Sequence, residues 1–221
     1  MKPIHQVIML PSKRTCKISK FDLRSSLASM LTDPELMQNE NIYLNDKTYT
    51  NPKVHTSSSY QDIHHRTSFL KAYDRFCTDP NDILVPIIPF IDGTPIDPYG
   101  RNKLEVVMFT LGLFKQKVRH QTNAWHIAGY IPDPCNENNG QHDFYDLSIK
   151  NQKIAKRKDY HEMLQYIFKD FIALEQSNGI IIELPNHDGT RMIRYRFKFV
   201  ILFIIGDAVG HDKLCDSCKV V

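Results

Sequence analysis

Two apolar runs that each end on an aspartate constrain the fold of this chain more than any other feature. The first run covers residues 83–91 and leads into Asp92, and the second covers residues 199–206 and leads into Asp207. Short runs rich in β-branched and aromatic residues predict buried strands. We therefore predict two core strands that each carry a carboxylate at their carboxyl end.

The elements between these runs predict a mixed sheet. The predicted strands cover residues 83–92, 104–114, 124–131, 180–184, 192–197 and 199–206. An apolar stripe with spacings of three and four predicts a helix over residues 159–177. The order is strand, strand, strand, helix, hairpin, strand, which predicts an α/β (α+β) fold with the last strand beside the first. This order resembles that of ribonuclease H-like proteins and is incomplete at the C-terminus.

The N-terminal part of the chain is polar and weakly patterned. Residues 39–60 are rich in Asn, Thr, Ser and Lys, which favours loop or disorder. Short helices are predicted near residues 19–31 and 60–76. We therefore predict a polar, helical and partly disordered region over residues 1–80, followed by an ordered core over residues 81–221.

Bulk composition excludes several classes of protein. No apolar run approaches the roughly 18 residues of a membrane span, and the N-terminus lacks the apolar segment of a secretory signal, so we expect no membrane partner and no secretion. Five cysteines are an odd number, which suits a reducing compartment. The net charge of +3 does not by itself indicate nucleic acid. No motif for a small-molecule substrate is found.

The paired aspartates are candidate ligands for a divalent cation. Hard cations such as Mg²⁺ and Mn²⁺ prefer oxygen ligands, and such ions serve phosphoryl transfer on DNA or RNA. Two neighbouring carboxylates disfavour double ionisation unless a cation lies between them. The alternative for each residue alone is ordinary turn chemistry, because Asp followed by Gly is common where a strand enters a turn.

Two segments resemble the cut-and-paste DDE/D transposases, most closely the Plavaka-type elements related to CACTA (EnSpm) transposases. Residues 91–112 resemble the first-aspartate segment, with its Asp-x-Thr turn and a closing Leu-Gly pair, and residues 204–215 resemble the second-aspartate segment. The resemblance implies a ribonuclease H-like fold, Mg²⁺- or Mn²⁺-dependent DNA cleavage and strand transfer, and catalytic roles for Asp92 and Asp207. It also implies DNA as partner, self-association on paired DNA ends and a nuclear location.

The sequence departs from this family in one respect. Family members need a third acidic residue on a later helix, whereas only residues 208–221 follow Asp207. We therefore expect a partial transposase that is inactive alone. Two alternatives remain open: a non-catalytic nucleic-acid-binding or zinc-stabilised interaction module, and a metal-dependent nuclease unrelated to transposition.

Two further sets of residues are candidate binding groups. Cys215 and Cys218 form half of a tetrahedral Zn²⁺ site, with His211 as a third ligand, or are two unrelated cysteines. The candidate phosphate contacts near the paired aspartates are Arg101, Lys103, Lys115, Lys117 and Arg119. A solvated charged face is the alternative for any one of them. The basic stretch 153–158 resembles a nuclear import signal and leaves a cytoplasmic location open.

Overall fold

The computed structural model describes residues 2–52, 62–95, 103–132, 149–185 and 190–206. The described strands are β1 (Ile4–Met9), β2 (Thr15–Lys20), β3 (Asp82–Pro95), β4 (Lys103–Leu111), β5 (His126–Pro132), β6 (Ile180–Pro185), β7 (Met192–Ile201) and β8 (Ile205–Gly206). The described helices are α1 (Leu23–Thr32), α2 (Lys47–Thr50), α3 (Thr67–Phe76), α4 (Gln116–Arg119) and α5 (Ile149–Glu175). The predicted mixed α/β class is confirmed.

The described strands form one mixed sheet with the order β1-β2-β5-β4-β3-β7-β6, and β8 pairs with β3. β3, β4 and β5 are antiparallel neighbours, whereas β7 and β8 run parallel to β3. A parallel pair requires a crossover connection, and α5 is the long helix between β5 and the β6–β7 hairpin. The last strand therefore lies beside the first core strand, as the order of apolar runs predicts.

β7 and β8 follow one another along β3 with an interruption between them. β7 pairs with β3 up to Ile201 opposite Ile87, and β8 resumes with Ile205 opposite Phe90. Four steps along the later chain thus match three along β3, so the pairing contains one extra residue, as in a β-bulge. Pro89 lies within this interruption, where its missing N–H leaves no ladder partner unsatisfied.

The long helix α5 packs its apolar stripe against one face of the sheet. Its described buried apolar side chains are Met163, Leu164, Ile167, Phe171 and Leu174. Phe171 meets Phe109 of β4 edge to face, with ring centroids 5.4 Å apart. The helix begins at Ile149, ten residues before the predicted start. The stripe located the packed half of the helix, and the polar half before it carries no apolar periodicity.

The described part of residues 1–80 contains the two predicted helices, as α1 and α3, together with two strands that were not predicted. β1 and β2 form a hairpin that extends the sheet, because β2 pairs with β5. Residues 39–52, predicted as loop or disorder, contain α2 and the fully packed Tyr49, which is 1% exposed. The Tyr49 hydroxyl donates to the Leu84 carbonyl oxygen at 2.7 Å. These residues belong to the same core cluster as β3.

Candidate functional site

The two chain segments that lead into the candidate aspartates are neighbours in the sheet. Ile91 pairs with Gly206 in the parallel ladder between β3 and β8. Ile91 immediately precedes Asp92, and Gly206 immediately precedes Asp207. Asp207 itself lies outside the described residues. The structure thus brings the two segments together up to the residue before each aspartate.

Asp92 lies near the carboxyl end of β3, opposite Val106 of β4. Its side chain is half-buried, whereas that of Ile91 is buried. Because successive side chains in a strand point to opposite faces, Asp92 shares a face with Phe90 and not with α5. Within the described residues, no side chain donates a hydrogen bond to the Asp92 carboxylate or pairs with its charge. Carboxylate oxygens are the kind of ligand that hard divalent cations prefer.

Glu105 is the acidic residue closest to Asp92 in the sheet pairing, and it faces the other way. Glu105 is in β4 and pairs with Gly93 of β3. The Tyr160 hydroxyl of α5 donates to Glu105 Oε2 at 2.5 Å, which places this carboxylate on the helix-covered face. In the described ranges, no three His, Cys, Asp or Glu side chains lie close enough together to hold a metal ion. The candidate zinc ligands Cys215, Cys218 and His211 lie outside these ranges.

The predicted phosphate contacts separate into two groups. Lys103 begins β4 opposite Pro95, at the Asp92 end of the sheet. Lys115 and Lys117 follow the other end of β4, where Leu111 lies opposite Ile87. Lys117 is exposed and Lys115 is half-buried.

The other two predicted phosphate contacts are Arg101 and Arg119. Arg101 lies outside the described residues. Arg119 is committed to the interior of the protein. Its guanidinium donates to Asp62 Oδ1 at 2.6 Å and to the Phe114 carbonyl oxygen at 2.5 Å. The Arg119 and Asp62 side chains are only 12% and 6% exposed. Sequence reasoning placed Arg119 at a phosphate, whereas the structure holds it within a buried ion pair.

A tyrosine completes this ion pair. The Tyr43 hydroxyl donates to Asp62 Oδ2 at 2.5 Å. Burial opposes ionisation of Asp62, but the hydrogen bonds from Tyr43, from the Ile63 backbone and from Arg119 outweigh it and lower the pKa of the Asp62 carboxyl. Burial and the adjacent carboxylate raise the pKa of Tyr43. The cluster therefore holds a charged pair at neutral pH inside the described core.

A further basic side chain near the Asp92 end of the sheet comes from the β1–β2 hairpin and was not among the predicted phosphate contacts. Lys13 lies at its tip and is exposed. The tip contacts α5, since the Ser12 backbone N–H donates to Asp159 Oδ1 at 3.0 Å. The available signal was the Pro11-Ser12-Lys13 turn between two alternating stretches, which the polar composition of the region obscured.

In comparisons with known proteins, no protein-family model matches this chain, and neither a curated protein nor a solved structure matches it. Within the described residues, no helix is both long enough and apolar enough to cross a membrane.

Proposed function

We propose that this chain is a DNA-processing domain of the DDE/D transposase type, with a ribonuclease H-like core in which Asp92 and Asp207 bind Mg²⁺ or Mn²⁺. The observation that carries the proposal is the parallel pairing of Ile91 with Gly206. Each of these residues directly precedes one of the two aspartates. Consecutive Cα atoms are about 3.8 Å apart, and this short distance from the Ile91–Gly206 pair supports the proposal that the two carboxylates share one ion.

The topology of the described core supports the same proposal. β3, β4 and β5 form three antiparallel strands, α5 follows, and β7 with β8 returns parallel to β3. This is the order expected for a ribonuclease H-like core. β6 and the β1–β2 hairpin then extend the sheet at its two edges.

The chemistry follows from the residue types. A divalent ion at this position would neutralise charge on the oxygens of a phosphodiester during strand cleavage. Asp92 and Asp207 would supply two oxygen ligands from adjacent strand ends. The strands fix the position of Asp92, since β3 is paired on both sides up to Ile91. DNA as partner, self-association on DNA ends, a nuclear location and a zinc site at Cys215 and Cys218 belong to this proposal.

A second candidate function is a non-catalytic nucleic-acid-binding module. The observation that favours it is the exposed basic surface formed by Lys13 and the first part of α5. Such a surface binds phosphates without any metal.

Titration of the 221-residue chain with Mn²⁺, followed by electron paramagnetic resonance, tests the metal site. We expect Asp92→Asn and Asp207→Asn each to weaken binding at least tenfold, which corresponds to about 1.4 kcal/mol. Glu183→Gln is the matched control, because Glu183 is exposed on β6, outside the β3–β8 pairing. Unchanged Mn²⁺ affinity in both aspartate variants would refute the paired-carboxylate site.

A further inference from the structure

Charge is distributed unevenly along α5. Residues 149–158 contain five basic side chains and no acidic one, whereas residues 159–175 contain one lysine and four acidic residues. Like charges three or four positions apart on a helix repel one another, and the helix dipole disfavours a basic residue in the first turn, where Lys150 lies. Helix stability therefore does not account for this arrangement. An anionic partner at the amino-terminal half would offset the repulsion.

The tip of the β1–β2 hairpin lies against this basic half and forms a groove with it. The Ser12 N–H donates to Asp159 Oδ1, and the Asp159 side chain is fully buried. Lys13 adopts a left-handed conformation with φ 64°, and its N–H donates to the Leu10 carbonyl oxygen at 2.8 Å. This tight turn fixes the position of the tip relative to the helix.

The groove has a volume of about 390 Å³, and its lining combines two lysines with polar and apolar residues. Its walls are residues 11–13 on one side and Asn151, Ile154, Ala155 and Lys158 on the other. The helix residues recur at spacings of three and four, so they form one face of α5. Lys13 and Lys158 are both exposed and both line the groove, one from the hairpin tip and one from the helix. The carboxylate of Asp159, next to Lys158, already accepts the Ser12 N–H and does not reach solvent.

The groove lies at the same end of the sheet as Asp92. Tyr160 contacts Glu105, which is paired with Gly93 next to Asp92. Further along α5, Phe171 reaches Phe109 near the other end of β4. The residues before Tyr160 therefore extend beyond the level of Glu105 and Gly93, by roughly 15 Å at 1.5 Å per residue.

We infer that the groove between the hairpin tip and the first half of α5 binds the phosphate backbone of DNA and leads it toward the Asp92 end of the sheet. Lys13 and Lys158 contact phosphates from opposite walls, and the Asn151 side chain can donate to a phosphate oxygen. The exposed Ile154, at 45% exposure, offers an apolar contact for a sugar. The choice of DNA among polyanions rests on the proposed function, whereas the location of the site rests on the charges and the groove.

Fluorescence anisotropy with a short labelled DNA duplex of arbitrary sequence tests the groove. The 221-residue chain is titrated in EDTA, so that binding does not depend on a divalent ion. We expect the double variant Lys13→Gln/Lys158→Gln to bind roughly tenfold more weakly, with the salt dependence of log K reduced by about 1.8, because each neutralised phosphate contributes about 0.9. Lys71→Gln/Lys169→Gln is the matched control, since both lysines are exposed elsewhere and the charge change is equal. It is expected to bind like the wild type.

Three outcomes would overturn the inference: equal weakening by the two double variants, no binding of the duplex by the wild type, or lysine-dependent binding of phosphatidylserine vesicles without binding of DNA. Circular dichroism checks that each variant is folded, and Lys158→Gln alone repeats the test without a change in the hairpin turn. Lysine-dependent binding of the duplex by a chain that binds no Mn²⁺ would overturn the metal proposal and leave the groove in place.

Discussion

Removing the Arg119 side chain should destabilise the protein far more than it affects DNA binding. Arg119→Ala leaves the Asp62 carboxylate without its cation and the Phe114 carbonyl oxygen without its donor. Breaking one partner of a buried ion pair costs about 3–5 kcal/mol. Because the two side chains retain 12% and 6% exposure, we expect the lower end, about 3 kcal/mol. That loss is a large fraction of the roughly 5–15 kcal/mol that stabilises an ordinary domain.

Urea denaturation measures this loss, with the fluorescence of Trp125 as the signal. The protein contains a single tryptophan, and its indole N–H donates to the Arg119 carbonyl oxygen at 2.7 Å. The backbone carbonyl survives the substitution, so the reporter keeps its partner. Lys117→Ala is the matched control, because Lys117 is exposed and two residues away, and it should change stability by no more than about 0.5 kcal/mol. The loss of stability in Arg119→Lys should lie between those of Arg119→Ala and Lys117→Ala, because lysine keeps the charge but lacks the planar guanidinium group.

The pH dependence gives an independent check. The pKa of Asp62 is lowered in the folded protein, so its contribution is present above the unfolded value near 3.8 and is lost as the pH falls through the folded value. The difference in the free energy of unfolding between the wild type and Arg119→Ala should therefore be largest at neutral pH and become smaller in acid. If Arg119→Ala unfolds at the same urea concentration as Lys117→Ala but binds DNA poorly, then Arg119 is a phosphate contact and the buried-pair assignment is wrong.

Two further substitutions test how β3 is held. Gly112→Ala would place a methyl group against Ile63 and only 2.9 Å from Pro86 Cβ. We therefore expect the free energy of unfolding, followed by thermal denaturation, to fall by about 1–3 kcal/mol. Wild-type stability in this variant would show that the two neighbouring side chains move aside without cost. Asp82→Asn should cost about 2 kcal/mol at neutral pH, because Asp82 accepts the Arg196 Nε–H at 2.5 Å across β3 and β7. Burial opposes the ionised form of Asp82, but the Arg196 bond and two backbone amides lower its pKa, so the cost should vanish in strong acid. A cost that persists there would assign it to packing.

The sequence predicts the central strands well because strands that are buried on both faces consist of nearly continuous apolar residues. The run into Asp92 is apolar on both faces, and such a run has few alternatives to a core strand. The same reasoning failed for β1, whose side chains are mostly exposed at the sheet edge and therefore show no clear periodicity. Residues 149–158 of α5 are predominantly polar and line a groove with the hairpin tip, so no apolar stripe marks them.

Only part of the candidate site could likewise be predicted from the sequence. The adjacency of Ile91 and Gly206 follows from the order of the elements, which the sequence contains. The role of Arg119 does not, because its partner Asp62 is 57 positions away and no local pattern links a basic residue to a distant carboxylate. The groove depends on the hairpin tip meeting α5, and Ser12 and Asp159 are 147 positions apart.

The extra residue between β7 and β8 sets which residue of β8 stands level with Ile91. If the ladder continued from Ile201 opposite Ile87 without interruption, Ile205 would stand level with Ile91. With the bulge, Gly206 stands level with Ile91 instead. A shift of one residue also exchanges the two faces of a strand. The register of β8 on β3 is therefore set by the number of residues in the 202–204 link, which makes this link less tolerant of deletion than of substitution.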